Sequence, residues 1–199
     1  MTDQLRDYRR AAKTIGPGFK PGFLSQPFWE DDNFDVLSIT VPGNNNAPTA
    51  YTIPTKNLIL PNFPNGADIT EVGGSREIPH AWEVGTSIYP HGHVRKLSTG
   101  NGSILLGFEY EILLGSTLVE GSDTITVELD NVTQLNELVF AGFDAIDLST
   151  ITEVGAQLTF RFYRDPTDAA DDFAGDIAVP TIGFHYQRNT SGSRQITTK

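Results

Sequence analysis

Alternation of apolar and polar residues is the dominant pattern along this chain. It is clearest over residues 103–114, SILLGFEYEILL. There Ile104, Leu106, Phe108, Tyr110, Ile112 and Leu114 share one face, with Gly107, Glu109 and Glu111 opposite. A period of two marks a strand with one buried side. The pattern recurs at 123–129 (Ile125, Val127 and Leu129), at 156–164 (Leu158, Phe160 and Phe162) and at 177–187 (Ile182, Phe184 and Tyr186). Pro180 cannot donate to a ladder, so it predicts an edge position or a bulge in the last of these. Residues 86–95, TSIYPHGHVR, set Ile88 and Val94 against Tyr89, His91, His93 and Arg95. The β-branched run 36–41 ends at Pro42-Gly43 and predicts a further strand. Residues 51–66 carry Pro54, Pro61 and Pro64, which suits an edge strand or an irregular crossing.

Helical periodicity is scarce. Residues 3–13 place Leu5, Tyr8 and Ala12 on one weak face, and Gly16-Pro17-Gly18 and Pro21-Gly22 end that helix. Residues 136–150 are a second, marginal candidate, interrupted by Gly142 and several Asp residues. Phe19, Phe23, Leu24, Phe28 and Trp29 follow no period and suit an extended arm. Its aromatics would anchor either to a neighbouring surface or to the arm's own domain, and the sequence leaves both open. The expected fold is all-β, an antiparallel β-sandwich of jelly-roll type. It comprises an extended N-terminal arm (1–33), a sandwich domain (34–187) and a short basic C-terminal tail (188–199).

Composition narrows the function. The chain has 199 residues and no Cys, which removes disulfides, thiolate zinc sites, iron–sulfur clusters and a Cys nucleophile. No apolar run is long enough for a membrane-spanning helix, and MTDQLRDYRR lacks the apolar stretch of a signal peptide. The formal net charge is −11, which argues against direct nucleic-acid contact over most of the surface. That charge is unevenly placed. Residues 1–20 carry +3, residues 188–199 carry +3 and the centre carries −17. Basic ends on an acidic body suit docking to like neighbours. Arg6, Arg9, Arg10, Phe19, Phe23, Phe28, Trp29 and Arg194 are therefore the expected partner-binding residues.

Candidate chemistry is thin. On a strand, His91 and His93 share a face, so both imidazoles reach toward one ion. Two nitrogens make a weak site unless a threefold axis multiplies them, and two polar strand residues near a loop are the commoner explanation. His185 lies on the face opposite Phe184 and Tyr186, and nothing in the sequence brings it to the pair. The acidic segment RDPTDAADDFAGD, with Asp165, Asp168, Asp171, Asp172 and Asp176, has calcium-type ligands without EF-hand spacing, and a solvated loop is the preferred reading. No nucleophile elbow, phosphate loop, HExxH helix or dinucleotide fingerprint is present. No catalytic residue and no cofactor is expected. A cupin-type enzyme needs a Glu soon after its HxH pair, and here none occurs until Glu109. A carbohydrate-binding module would need exposed aromatics, for which Trp82 near His80 is the modest candidate.

Four segments and a closing motif carry a resemblance. They are Ser87-Ile88-Tyr89-Pro90-His91-Gly92-His93-Val94, Leu106-Gly107-Phe108-Glu109-Tyr110, Arg161-Phe162-Tyr163-Arg164-Asp165 and Ile182-Gly183-Phe184-His185-Tyr186-Gln187, closing with Ser191-Gly192-Ser193-Arg194-Gln195. In this order they resemble a group of small structural proteins of tailed bacteriophages and prophages, over residues 85–195. The resemblance implies a virion protein with a β-sandwich body, with trimeric assembly favoured. It implies a capsid cement or decoration protein bound to the major capsid protein or neighbouring virion subunits. The runner-up is a neck, tail or fibre-base protein. It supplies no catalytic residues.

Overall fold

The computed structural model describes residues 28–36, 45–54, 56–115, 117–130 and 135–188. The helix expected at 3–13, the arm residues Arg6, Arg9, Arg10, Phe19 and Phe23, most of the run 36–41, and Arg194 lie outside the described residues.

Among the described residues ten strands occur in chain order: β1 Phe28–Asp35, β2 Thr49–Thr52, β3 Ile59–Phe63, β4 Thr70–Glu77, β5 Ile88–Lys96, β6 Ile104–Leu114, β7 Thr117–Leu129, β8 Leu138–Gly142, β9 Gln157–Arg164 and β10 Ile177–Arg188. They form a six-stranded sheet of order β2-β3-β10-β5-β8, with β1 also on β10, and a four-stranded sheet of order β4-β9-β6-β7. Every strand pairing is antiparallel, and non-sequential strands are neighbours, as in a jelly-roll-like sandwich.

The apolar faces read from the sequence meet between the sheets. Ile104, Leu106, Phe108, Leu158, Phe162, Ile182 and Phe184 are all buried there. Phe108 stacks on Phe160 at 5.3 Å, and Phe160 also stacks on Phe34 of β1. Burying such rings supplies most of the drive to close the sandwich.

Two elements differ from expectation, and a third decides between two stated alternatives. First, β1 begins at Phe28 and pairs with β10 from Thr181 to Arg188, so the sheet includes residues assigned to the arm and one assigned to the tail. Second, residues 136–150 form no α-helix. Leu138–Gly142 is a strand on β5, and Asn136 takes a left-handed backbone (φ 64°) just before it. The alternation of Leu138 and Phe140 with Val139 and Ala141 outweighs a helix already weakened by Gly142. Third, β10 is interior. Its register against β5 shifts between Ala178 and Thr181, so Pro180 marks a bulge and not a sheet edge. On its other side β10 pairs with β3 at Ile177–Ala178 and with β1 beyond the bulge.

The acidic segment is also corrected: its carboxylates are built into the loop. Asp171 is buried and bridges Arg164 through two hydrogen bonds of 2.8 Å. The same guanidinium donates to the carbonyls of Phe63, Phe173 and Gly175. Asp165 and Asp168 cap their own turns, Asp172 accepts from the Ser103 amide, and Asp176 accepts from Asn62 and Asn65. These acids fix the turn between β9 and β10 against the sandwich.

Candidate functional site

The outer face of the six-stranded sheet carries the most unusual side chains. Its odd-numbered positions on β1, on β5 and on β10 beyond the bulge point outward together, because register pairs Asp31 with His185 and His185 with Tyr89. On β8, Phe140 lies opposite His93 and Gly142 opposite His91. Gly142 leaves room for the Phe140 ring, which occupies the space a Cβ would take, at 2.8 Å. Phe140 thereby leans over His91, with ring centroids 5.0 Å apart and an interplanar angle of 28°. His185 stacks on His91 from the β10 side at 4.4 Å and 20°.

His91 is thus fully buried on a sheet face that otherwise meets solvent. Neither ring nitrogen has a hydrogen-bond partner among the described residues. Its Nε2 lies 3.5 Å from Asp31 Oδ1, and His185 Nε2 lies 3.8 Å from Asp31 Oδ2. Asn33 Nδ2 donates to Asp31 Oδ2 at 2.8 Å and steadies the carboxylate. Burial lowers the His91 pKa to about 4. The Asp31 charge opposes that shift, and His185 and His93 add to it. His91 is therefore neutral near pH 7.

Around this centre runs an open groove of about 610 Å³ lined by Trp29, Tyr89, Pro90, Phe140, Gly142, Phe143 and His185. Trp29 and Phe140 are 54% and 51% exposed, and Tyr89 is 39% exposed. Trp29 meets Tyr89 edge to face at 5.3 Å. Large aromatic faces left in water on a sheet, beside a carboxylate and imidazoles, fit a surface that contacts something else.

Of the expected partner-binding residues that are described, Trp29 lies in this groove. Phe28 sits at the start of β1, exposed, with Arg188 over its ring. The HxH pair is divided. His91 joins Asp31 and His185, while His93 stands edge-on to His91 at 5.3 Å, outside that trio. Trp82 is no surface aromatic: it is buried and donates from Nε1 to the Thr86 carbonyl. Sequence reasoning missed Asp31, Phe140 and the convergence of His185. The alternation in FWEDDNFD was the available signal for Asp31. The pairing of β10 with β5 and β1 has no signature in the sequence.

No protein-family model matches the chain, and no curated protein matches it. Solved structures of similar shape include a carbohydrate-binding module, CBM36, in complex with calcium and xylotriose. It is 13% identical with a TM-score of 0.38, over 77% of this chain and 98% of that one. A chain from the infectious bursal disease virus Gx strain is 15% identical with a TM-score of 0.40, over 90% of this chain and 37% of that one. Dimeric latent PorU from Porphyromonas gingivalis is 7% identical with a TM-score of 0.37, over 88% of this chain and 14% of that one. At these scores the likenesses carry no argument about function.

Proposed function

We propose that this protein is a non-catalytic structural subunit of a virus particle, of the cement or decoration kind, which binds a capsid shell through the outer face of its six-stranded sheet. The observation that carries the reading is the groove of Trp29, Tyr89 and Phe140, whose rings stand in solvent on an otherwise ordinary sandwich. Rigid aromatic anchors supply large contact area at small entropic cost. The basic ends and acidic centre of the chain add the charge pattern of a subunit that tethers like neighbours. Many modest contacts repeated over a shell sum to strong attachment. The test is to add the purified chain to undecorated shells of the virus whose genome encodes it. Co-sedimentation, with a rise in the temperature at which the shells open, is the expected result. Shells that neither bind the chain nor gain stability overturn the reading.

A second reading is favoured by one specific observation, the polar groups Asp31 and His185 beside the exposed rings. An aromatic face with a carboxylate and an imidazole at its edge suits a sugar ring, which stacks its C–H face and hydrogen-bonds its hydroxyls. Retarded migration of the chain in gels containing soluble polysaccharide supports this reading, and unchanged migration across a panel of them removes it.

A further inference from the structure

We infer that Asp31, His91 and His185 form a binding site for a divalent transition-metal ion, of which zinc is the type, beside the aromatic groove that His185 helps to line. One donor atom from each residue lies within 4.8 Å of the others. Three strands converge to make the group, β1 supplying Asp31, β5 His91 and β10 His185, with β10 central and fixing the other two by register. This is a placement on rigid sheet elements and not on mobile loops.

The second observation is independent of proximity. His91 is fully buried, and neither of its nitrogens makes a hydrogen bond among the described residues. Buried imidazoles are ordinarily bonded, so one left unbonded beside a carboxylate and against a second imidazole needs a reason. A metal ion supplies one, because it takes the lone pair that no protein donor satisfies. The donor set then selects the ion. Two imidazole nitrogens and one carboxylate oxygen suit zinc or a neighbouring first-row divalent ion, and three protein ligands leave a fourth position open. Calcium and magnesium prefer all-oxygen sites and are disfavoured.

The site needs a small closure. Tetrahedral coordination brings donor atoms to about 3.3 Å from one another, given metal–ligand bonds near 2.0–2.1 Å. The two rings are stacked, and His91 is packed between Phe140 and His185, so His185 is the ring that turns about its Cβ–Cγ bond to aim at one ion. That torsion is broad and soft. His185 is partly exposed and has room to turn, while Asn33 already orients the Asp31 carboxylate. Phe140 and Trp29 line the groove beside these residues. The site stands or falls separately from the capsid reading.

The experiment uses full-length protein without an affinity tag, stripped with a chelator and dialysed. Zn²⁺ is titrated by calorimetry, and Co²⁺ by its visible absorption. The expected result is one ion per chain, with the intense absorption of four-coordinate cobalt. His185→Ala and Asp31→Asn should each weaken Zn²⁺ binding by roughly tenfold to a hundredfold. Their far-UV circular dichroism should match that of the parent, since both side chains are partly exposed. His80→Ala, which alters the separate His80–Glu77 contact, should leave binding unchanged. Absence of saturable Zn²⁺ binding, or binding that survives both His185→Ala and Asp31→Asn, overturns the inference.

Discussion

Gly183 and Asp32 are packed backbone to backbone: a Cβ on Gly183 would lie 2.5 Å from the Asp32 carbonyl oxygen and 3.1 Å from the Asn33 Cα. The nearest atom is main chain, so moving the Asn33 side chain, whose Oδ1 would lie 2.7 Å away, does not relieve it. Gly183 also pairs with His91 on β5, so one residue of β10 without a side chain seats the other two strands that build the candidate site. Gly183→Ala should destabilise the protein by about 1–3 kcal/mol through overpacking. It should expose β1 to hydrogen exchange before the rest of the sheet. Protection of β1 amides equal to the parent's would count against this attachment.

A second prediction concerns the turn between β9 and β10. Asp171 neutralises a guanidinium that is wholly buried. Asp171→Asn leaves the Arg164 charge in the interior without its counter-ion, which costs about 3–5 kcal/mol. Urea unfolding should show a lower midpoint with little change in slope, as expected when stability alone changes. By contrast, Asp168→Ala removes only a local turn bond to the Ala170 amide and should shift the midpoint far less.

On the opposite sheet, Gly107 makes room for an aromatic ring. A Cβ there would fall 2.0 Å from Tyr163 Cζ and 2.4 Å from its hydroxyl. Tyr163 is held by the Arg161 guanidinium, 4.7 Å from its ring centroid, and Arg161 in turn bridges Glu71 and Glu109. Gly107→Ala should turn the Tyr163 ring out into water. Tyrosine fluorescence and a thermal midpoint several degrees lower would record it, consistent with about 1–3 kcal/mol of strain. Gly107→Ala combined with Tyr163→Ala should recover part of the loss, because the clash is removed.

The legible part of this fold was the part governed by one strong period. In β6, β9 and β10, apolar residues at every second position face the core, and Ile104, Leu158 and Ile182 stand where their spacing puts them. The charged strand β1 was hidden because Glu30, Asp31, Asp32 and Asp35 look like solvated loop. Two of these acids are held by partners distant in sequence: Tyr186 and Arg188 bond Glu30, and Arg76 forks onto Asp32. Leu138–Gly142 was misread because five residues are too few to separate a strand from a helix turn, and the free edge of β5 decided the matter. At the candidate site, the HxH spacing pointed to His91, yet its true neighbours lie on two other strands. Register between non-adjacent strands is a property of the folded sheet, and no local pattern encodes it.

If the Trp29–Tyr89–Phe140 face is the binding surface, removing its rings must weaken attachment to the shell. The double variant Trp29→Ala, Phe140→Ala is compared with the parent for affinity to undecorated capsid shells by co-sedimentation. Both side chains are mostly exposed, so the variant should keep the parent's circular dichroism and most of its thermal stability. Loss of two aromatic anchors at about 2 kcal/mol or more each predicts binding weaker by roughly several hundredfold or more. A folded double variant that binds shells as tightly as the parent would show that the capsid is held by some other surface.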